Sequence, residues 1–146
     1  NRDFVEPVKI AQKVIDGLGG SVSKKIITIL GITFKANTDD LRSAPGLVII
    51  PLLLECGAII RIVDNYGQKS GIQLLPEVDW FEDPYQAVTG ADCVVTLTEW
   101  DLFKKLNLKK LAKLMRTSIF VDLRNLYLKA DVVNAGFERY ASIGRN

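Results

Sequence analysis

The stretch IITILGITFKANTDDLR, residues 26–42, decides the fold. Its first half, Ile26 to Leu30, is a short apolar run dominated by β-branched residues and does not alternate with polar ones. That is the pattern of a strand covered on both faces, as in a parallel sheet. Its second half breaks with the familiar nucleotide-binding plan. After Gly31 a dinucleotide fold would place two more glycines in a tight turn under a pyrophosphate. Here Phe34, Lys35, Thr38, Asp39, Asp40 and Arg42 follow instead. A strand ending in such a crowd meets a ligand with side chains rather than with bare backbone.

Working outward, four more runs read as strands: IIRIVD (59–64), DCVVTLT (92–98), SIFVDLR (118–124) and FERYASIG (137–144). The spacings leave room for crossover segments, so the pattern predicts a five-stranded parallel sheet in a three-layer α/β/α sandwich. FVEPVKIAQKVIDGLGG has helical spacing of its apolar positions and ends in glycines. Because proline suits a first helical turn, Pro7 sets its regular start near residue 6 or 7 unless the helix is kinked. SAPGLVIIPLLLECG is apolar all round and reads as a buried helix bent or interrupted at Pro51. DPYQAVTGAD reads as a short helix capped by Asp83 with Pro84 in its first position. Residues 101–116 read as two turns and then a second helix, with Asp101 and Asn107 as caps. The basic residues there, Lys104, Lys105, Lys109, Lys110, Lys113 and Arg116, read as a solvated face.

Composition narrows the function. The 146 residues suit one domain, and 48% hydrophobic with 25% charged residues is the balance of a folded globular chain. A net charge of +2 is too mild for a nucleic-acid or membrane partner. There is no long apolar run and no signal-peptide plan at the N-terminus, which sets a cytoplasmic expectation. Cys56 and Cys93 sit in apolar runs and read as buried thiols. With no histidine, the usual general base, most zinc sites and Ser-His or Cys-His catalysis are excluded, so no catalytic or metal-ligating residue is assigned.

Ligands of open parallel sheets gather outside the carboxyl ends of the strands. The residues there are Phe34, Lys35, Thr38 and Arg42 after the first strand, Asp64 after the second, Thr98, Glu99 and Trp100 after the third, and Asp122, Arg124 and Asn125 after the fourth. Two arginines, a lysine and hydroxyls suit an anionic, hydroxyl-rich molecule, and phosphate above all. The acids have structural uses: Asp39 and Asp40 as caps, Asp64 in a DNYG turn, Asp122 to orient Arg124. Trp100 reads as packing.

These residues resemble the C-terminal domain of the UDP-glucose/GDP-mannose dehydrogenase family, most closely its UDP-glucose 6-dehydrogenases. The resemblance rests on the Gly-x-x-Phe-Lys strand end with NTDDLR (37–42), CGAIIRIVD (56–64), GADCVVTLTEWDLF (90–103), VDLRNLY (121–127) and YASIGR (140–145). It implies a Rossmann-like sheet of order 3-2-1-4-5, with residues 1–20 the end of an inter-domain helix and linker and 21–146 a UDP-sugar-binding domain. It also implies that Phe34, Lys35 and Arg124 contact the sugar nucleotide. Arg42 would reach the NAD that an N-terminal dehydrogenase domain mainly binds, and the full-length protein would be a homodimer. The implied activity is oxidation of UDP-glucose to UDP-glucuronate, for which this chain lacks the GxGxxG fingerprint and a matching cysteine. It is therefore expected to be inactive alone. Ala36, Ser43, Ala44, Pro51 and Asn65 depart from the family pattern.

Two alternatives remain at this stage: a free-standing nucleotide-binding or regulatory module, and the same domain of a GDP-mannose or UDP-N-acetylhexosamine dehydrogenase. A phosphorelay receiver is rejected, because the edges that would need clustered acids and a phosphorylatable aspartate read GITFK and TLTEW.

Overall fold

A computed structural model describes residues 2–32 and 44–142, with side chains from Pro7 onward. The elements in chain order are α1 (Arg2–Gly17), β1 (Ile26–Leu30), α2 (Gly46–Glu55), β2 (Ile59–Val63), α3 (Gln68–Leu74), β3 (Asp79–Phe81) and α4 (Pro84–Val88). They continue with β4 (Cys93–Thr96), α5 (Asp101–Lys104), α6 (Leu108–Leu114), β5 (Ile119–Asp122), α7 (Lys129–Asn134) and β6 (Arg139–Ser142).

The sheet has six strands in the order β3-β2-β1-β4-β5-β6, all parallel. This corrects the expected five. The additional strand is Asp79–Phe81, three residues at the edge beside β2, and with it counted the first five strands follow the order 3-2-1-4-5. An edge strand needs only one neighbour and only partial burial, so Trp80 and Phe81, both half-buried, give no long apolar run to read.

Alternation along the strands divides the interior into two cores. Ile27, Ile29, Ile60, Ile62, Cys93, Val95, Ile119 and Val121 face one side, where α1 and α2 cover them with Ile10, Ala11, Val14, Ile49, Ile50 and Leu53. Leu30, Val63, Val94 and Phe120 face the other, under Ala87, Val88, Phe103, Leu111 and Val132. Both faces being covered explains why the inner strands are mainly apolar, broken internally at Thr28 of β1 and Arg61 of β2, which both donate to the Ala87 carbonyl. Phe120 carries the second core, with Tyr127, Phe137 and Tyr140 edge-on to its ring at 5.3 to 5.8 Å.

Two helices carry a proline inside them. α1 begins at Arg2 and runs through Pro7, four or five residues before the start that the proline suggested. The hydrogen bond that Pro7 cannot donate is offset by burial of Ile10, Ala11 and Val14 against the sheet and α2. α2 is continuous from Gly46 to Glu55 with Pro51 inside it, held by Ile49, Ile50 and Leu53 in the core. The expected caps stand at Asp83, which accepts the Tyr85 N–H at 2.9 Å, and at Asn107, which accepts that of Lys110 at 3.1 Å. Asp101 is the first helical residue of α5 rather than its cap, which is Trp100.

Candidate functional site

The order 3-2-1-4-5-6 reverses its winding between β1 and β4, and the carboxyl edge there is where open α/β sheets bind ligands. This edge is built largely by two buried carboxylates. Asp64, just after β2, accepts the N–H of Ile32 beyond β1 and that of Gly67, both at 2.8 Å. One side chain therefore ties the exit of β1 to the turn after β2, which is the turn role read from the sequence with a second partner added. Burial pushes its pKa up, against backbone hydrogen bonds from Gly67, Ile32 and Tyr66 that pull it down.

Asp122, at the end of β5, is fully buried and accepts from Thr96 Oγ1 at 2.7 Å. It also takes the backbone N–H groups of Arg124, Leu126 and Tyr127 at 3.2, 3.0 and 3.0 Å. The Tyr140 hydroxyl lies 3.0 Å from its Oδ2. The loop after β5 thus wraps round a carboxylate, with Asn125 at φ 54 making the reversal. Asp122 orients Arg124 as expected, but through the backbone of Arg124.

What this loop presents is the Arg124 side chain, about one third exposed, whose Nη2 stands 3.5 Å from Oε2 of Glu99 in the β4–α5 loop. The Glu99 loop is itself anchored by Trp100, only 5% exposed, whose ring stacks on Phe103 at 5.3 Å and receives the edge of Tyr66 at 4.9 Å. Trp100 is packing, as the sequence suggested, and it also walls a cleft of about 350 Å³ with Asn65, Tyr66, Asp101 and Leu102. Tyr127 braces the same side, donating its hydroxyl to the Phe103 carbonyl and accepting the Leu106 N–H at 3.2 Å. Burial pushes its pKa up to about 12, so it holds its proton as a strut.

Of the predicted site residues, Arg124 is therefore placed on this edge. Phe34, Lys35 and Arg42, with Thr38, Asp39 and Asp40, lie outside the described residues. Glu99, named in the sequence only as a residue following a strand, is a described residue brought to Arg124; the sign available was its position after a β4 run ending in threonines.

The described edge does not fit the pyrophosphate of a dinucleotide. Gly31, at φ 91, is glycine for a different reason: a Cβ there would overlap Oγ1 and Cβ of Thr98. The glycine lets the β1 exit lie against the β4 exit, and no glycine-rich turn follows it. Among the described residues neither cysteine stands at this edge as a nucleophile. The Cys93 thiol is buried and its pKa is raised by burial, then by Asp92. Cys56 is exposed, which corrects the expectation of a buried thiol: it caps α2 and lies before β2, at the amino edge. Among the described residues no cluster of three metal-ligating side chains occurs.

The amino edge has its own polar cluster. Asp92 accepts from Arg116 Nε at 2.9 Å and from Arg116 Nη2, from Thr117 Oγ1 at 2.9 Å and from the Ile26 N–H at 2.9 Å. Arg116 lies beyond α6, and its side chain, 58% exposed, is solvated as expected while also pairing with Asp92. The adjoining cleft of about 240 Å³ is lined by Lys25, Glu138 and Arg139 among others. Glu138 is engaged by the Ser118 N–H and Arg139 by the Gly17 carbonyl, so this edge is a structural seam.

Residues 28–129 match the family described as UDP-glucose/GDP-mannose dehydrogenase, UDP binding domain. The chain is 41% identical over 136 residues to a UDP-glucose 6-dehydrogenase of Rhizobium meliloti, covering 93% of this chain and 31% of that protein. It is 37% identical over 139 residues to UDP-glucose 6-dehydrogenase TuaD of Bacillus subtilis, covering 94% and 30%. Among solved structures it resembles a UDP-D-ManNAc dehydrogenase from Pyrococcus horikoshii with a TM-score of 0.76 at 29% identity, over 95% of this chain and 31% of that one. A UDP-glucose dehydrogenase from Pyrobaculum islandicum gives 0.73 at 26%, over 93% and 29%. The chain spans about 30% of the length of the curated relatives it matches. By the extent of that match, the chain belongs to the UDP-glucose/GDP-mannose dehydrogenase family and carries its UDP binding domain.

Proposed function

We propose that the chain is the sugar-nucleotide-binding part of an NAD-dependent UDP-glucose 6-dehydrogenase. In this reading it holds the diphosphate of UDP-glucose at the carboxyl edge of its sheet, over an active site completed by an N-terminal dehydrogenase domain. The observation that carries it is the loop after β5, folded round Asp122 so that Arg124 stands beside the β4 exit. A guanidinium so placed can grip phosphate oxygens with two parallel N–H groups. Phe34 and Lys35, which follow β1 in the sequence, are assigned to the same ligand, and Arg42 to NAD. The hydride chemistry belongs to NAD, held mainly by the other domain; the residues here bind and orient the substrate.

α1 is assigned to the end of the helix joining the two domains, residues 1–20, with 21–146 as the binding domain. The full protein is taken to be a cytoplasmic homodimer. No described helix is long and apolar enough to cross a membrane. The likeness to a UDP-D-ManNAc dehydrogenase keeps N-acetylated sugars as a second substrate class, since this domain grips the nucleotide end.

The test is reconstitution. Adding the chain to a separately produced N-terminal portion of the enzyme restores NADH formation from UDP-glucose, and the chain alone gives none. Tight UDP binding without restoration would instead identify a free-standing module.

A further inference from the structure

We infer that Glu99 is a built-in competitor for the diphosphate, holding the Arg124 guanidinium when no ligand is bound and yielding it when one arrives. The inference rests on the reading of Arg124 as a phosphate-binding residue.

Both ends of the pair are anchored by backbone. Asp122 fixes the loop that carries Arg124 through the N–H groups of Arg124, Leu126 and Tyr127, and the buried Trp100 ring fixes the residue after Glu99. The contact between the side chains is nevertheless loose. The Nη2–Oε2 separation is 3.5 Å, with 31% of the Arg124 and 47% of the Glu99 side chain exposed. A half-exposed pair of this kind costs little to open. A diphosphate offers more charge and more acceptor oxygens than one carboxylate, so it displaces Glu99 where a weaker anion fails. Glu99 therefore raises the threshold for anion binding and favours ligands of high charge density.

Titration of the chain with UDP tests this, with uridine as the phosphate-free probe. Glu99→Gln, which keeps the shape and removes the charge, should tighten UDP binding about two- to five-fold at low salt. It should leave uridine unchanged, and the gain should vanish in an Arg124→Ala background. Arg124→Ala alone should weaken UDP about five- to a hundred-fold. If Glu99→Gln leaves UDP binding unchanged or weakens it while Arg124→Ala weakens it, the competitor role is wrong and the phosphate role stands. A gain that persists without Arg124 also overturns the competitor role, showing repulsion that does not act through the arginine. If Arg124→Ala has no effect on UDP, the phosphate role itself fails. Matching thermal melts of the variants confirm that each is folded when titrated.

Discussion

Thr96 Oγ1 donates to Asp122 Oδ1 across 2.7 Å, joining the carboxyl ends of β4 and β5 beneath the site. The same carboxylate organises the loop that carries Arg124, so sheet and site share one buried hub. Asp122→Asn presents an amide N–H to groups that are themselves donors. We predict a loss of about 2–4 kcal/mol of stability, measured as a lower urea midpoint with an unchanged slope. UDP affinity should fall with it, because the backbone at Arg124 loses its support.

The packing of Gly31 gives a second prediction, with an internal control. Gly31→Ala meets both the strain of φ 91 and overlap with Thr98, and should cost about 3 kcal/mol or more. Gly19 has a similar φ of 87 but nothing within 4 Å of the added carbon, so Gly19→Ala should cost only about 1 kcal/mol. Equal losses would show that conformation alone, and not the approach of β1 to β4, keeps Gly31.

Acid should reveal the amino-edge seam. Hydrogen bonds from Arg116, the Ile26 N–H and Thr117, with the Arg116 charge, outweigh the burial of Asp92 and hold its pKa near 2, below the usual 3.8. A depressed carboxyl pKa stabilises the fold fully above 3.8, and that contribution is lost as pH falls towards 2. Wild type should therefore exceed Asp92→Asn in stability by a constant margin above pH 4. The margin should close between pH 4 and 2 in a series of denaturation curves.

The sequence carries the sheet more clearly than its accessories. Runs such as IITIL and CVVT state their own structure, because a strand buried on both faces can be made of little else. β3 escapes notice because it is a three-residue edge strand with Asp79 exposed and Trp80 and Phe81 only half-buried, and α3 and α7 because each is a helix of seven residues or fewer. Arg124 is legible as a basic residue after a strand. Its partner Glu99, the hub role of Asp122 and the Asp92–Arg116 pair are not, since each depends on which strands lie side by side. Asp92 and Arg116 are 24 positions apart and meet because the segment after α6 returns to the start of β4.

The placement of the diphosphate at the carboxyl edge is tested most directly by mapping backbone amide NMR shifts of the chain as UDP is added. Shifts should concentrate in the loops around Thr98 to Leu102 and Leu123 to Tyr127, with Asp92, Arg116 and Arg139 at the amino edge unmoved. Saturable shifts centred on Asp92 and Arg139, with Arg124 and Glu99 silent, would contradict it.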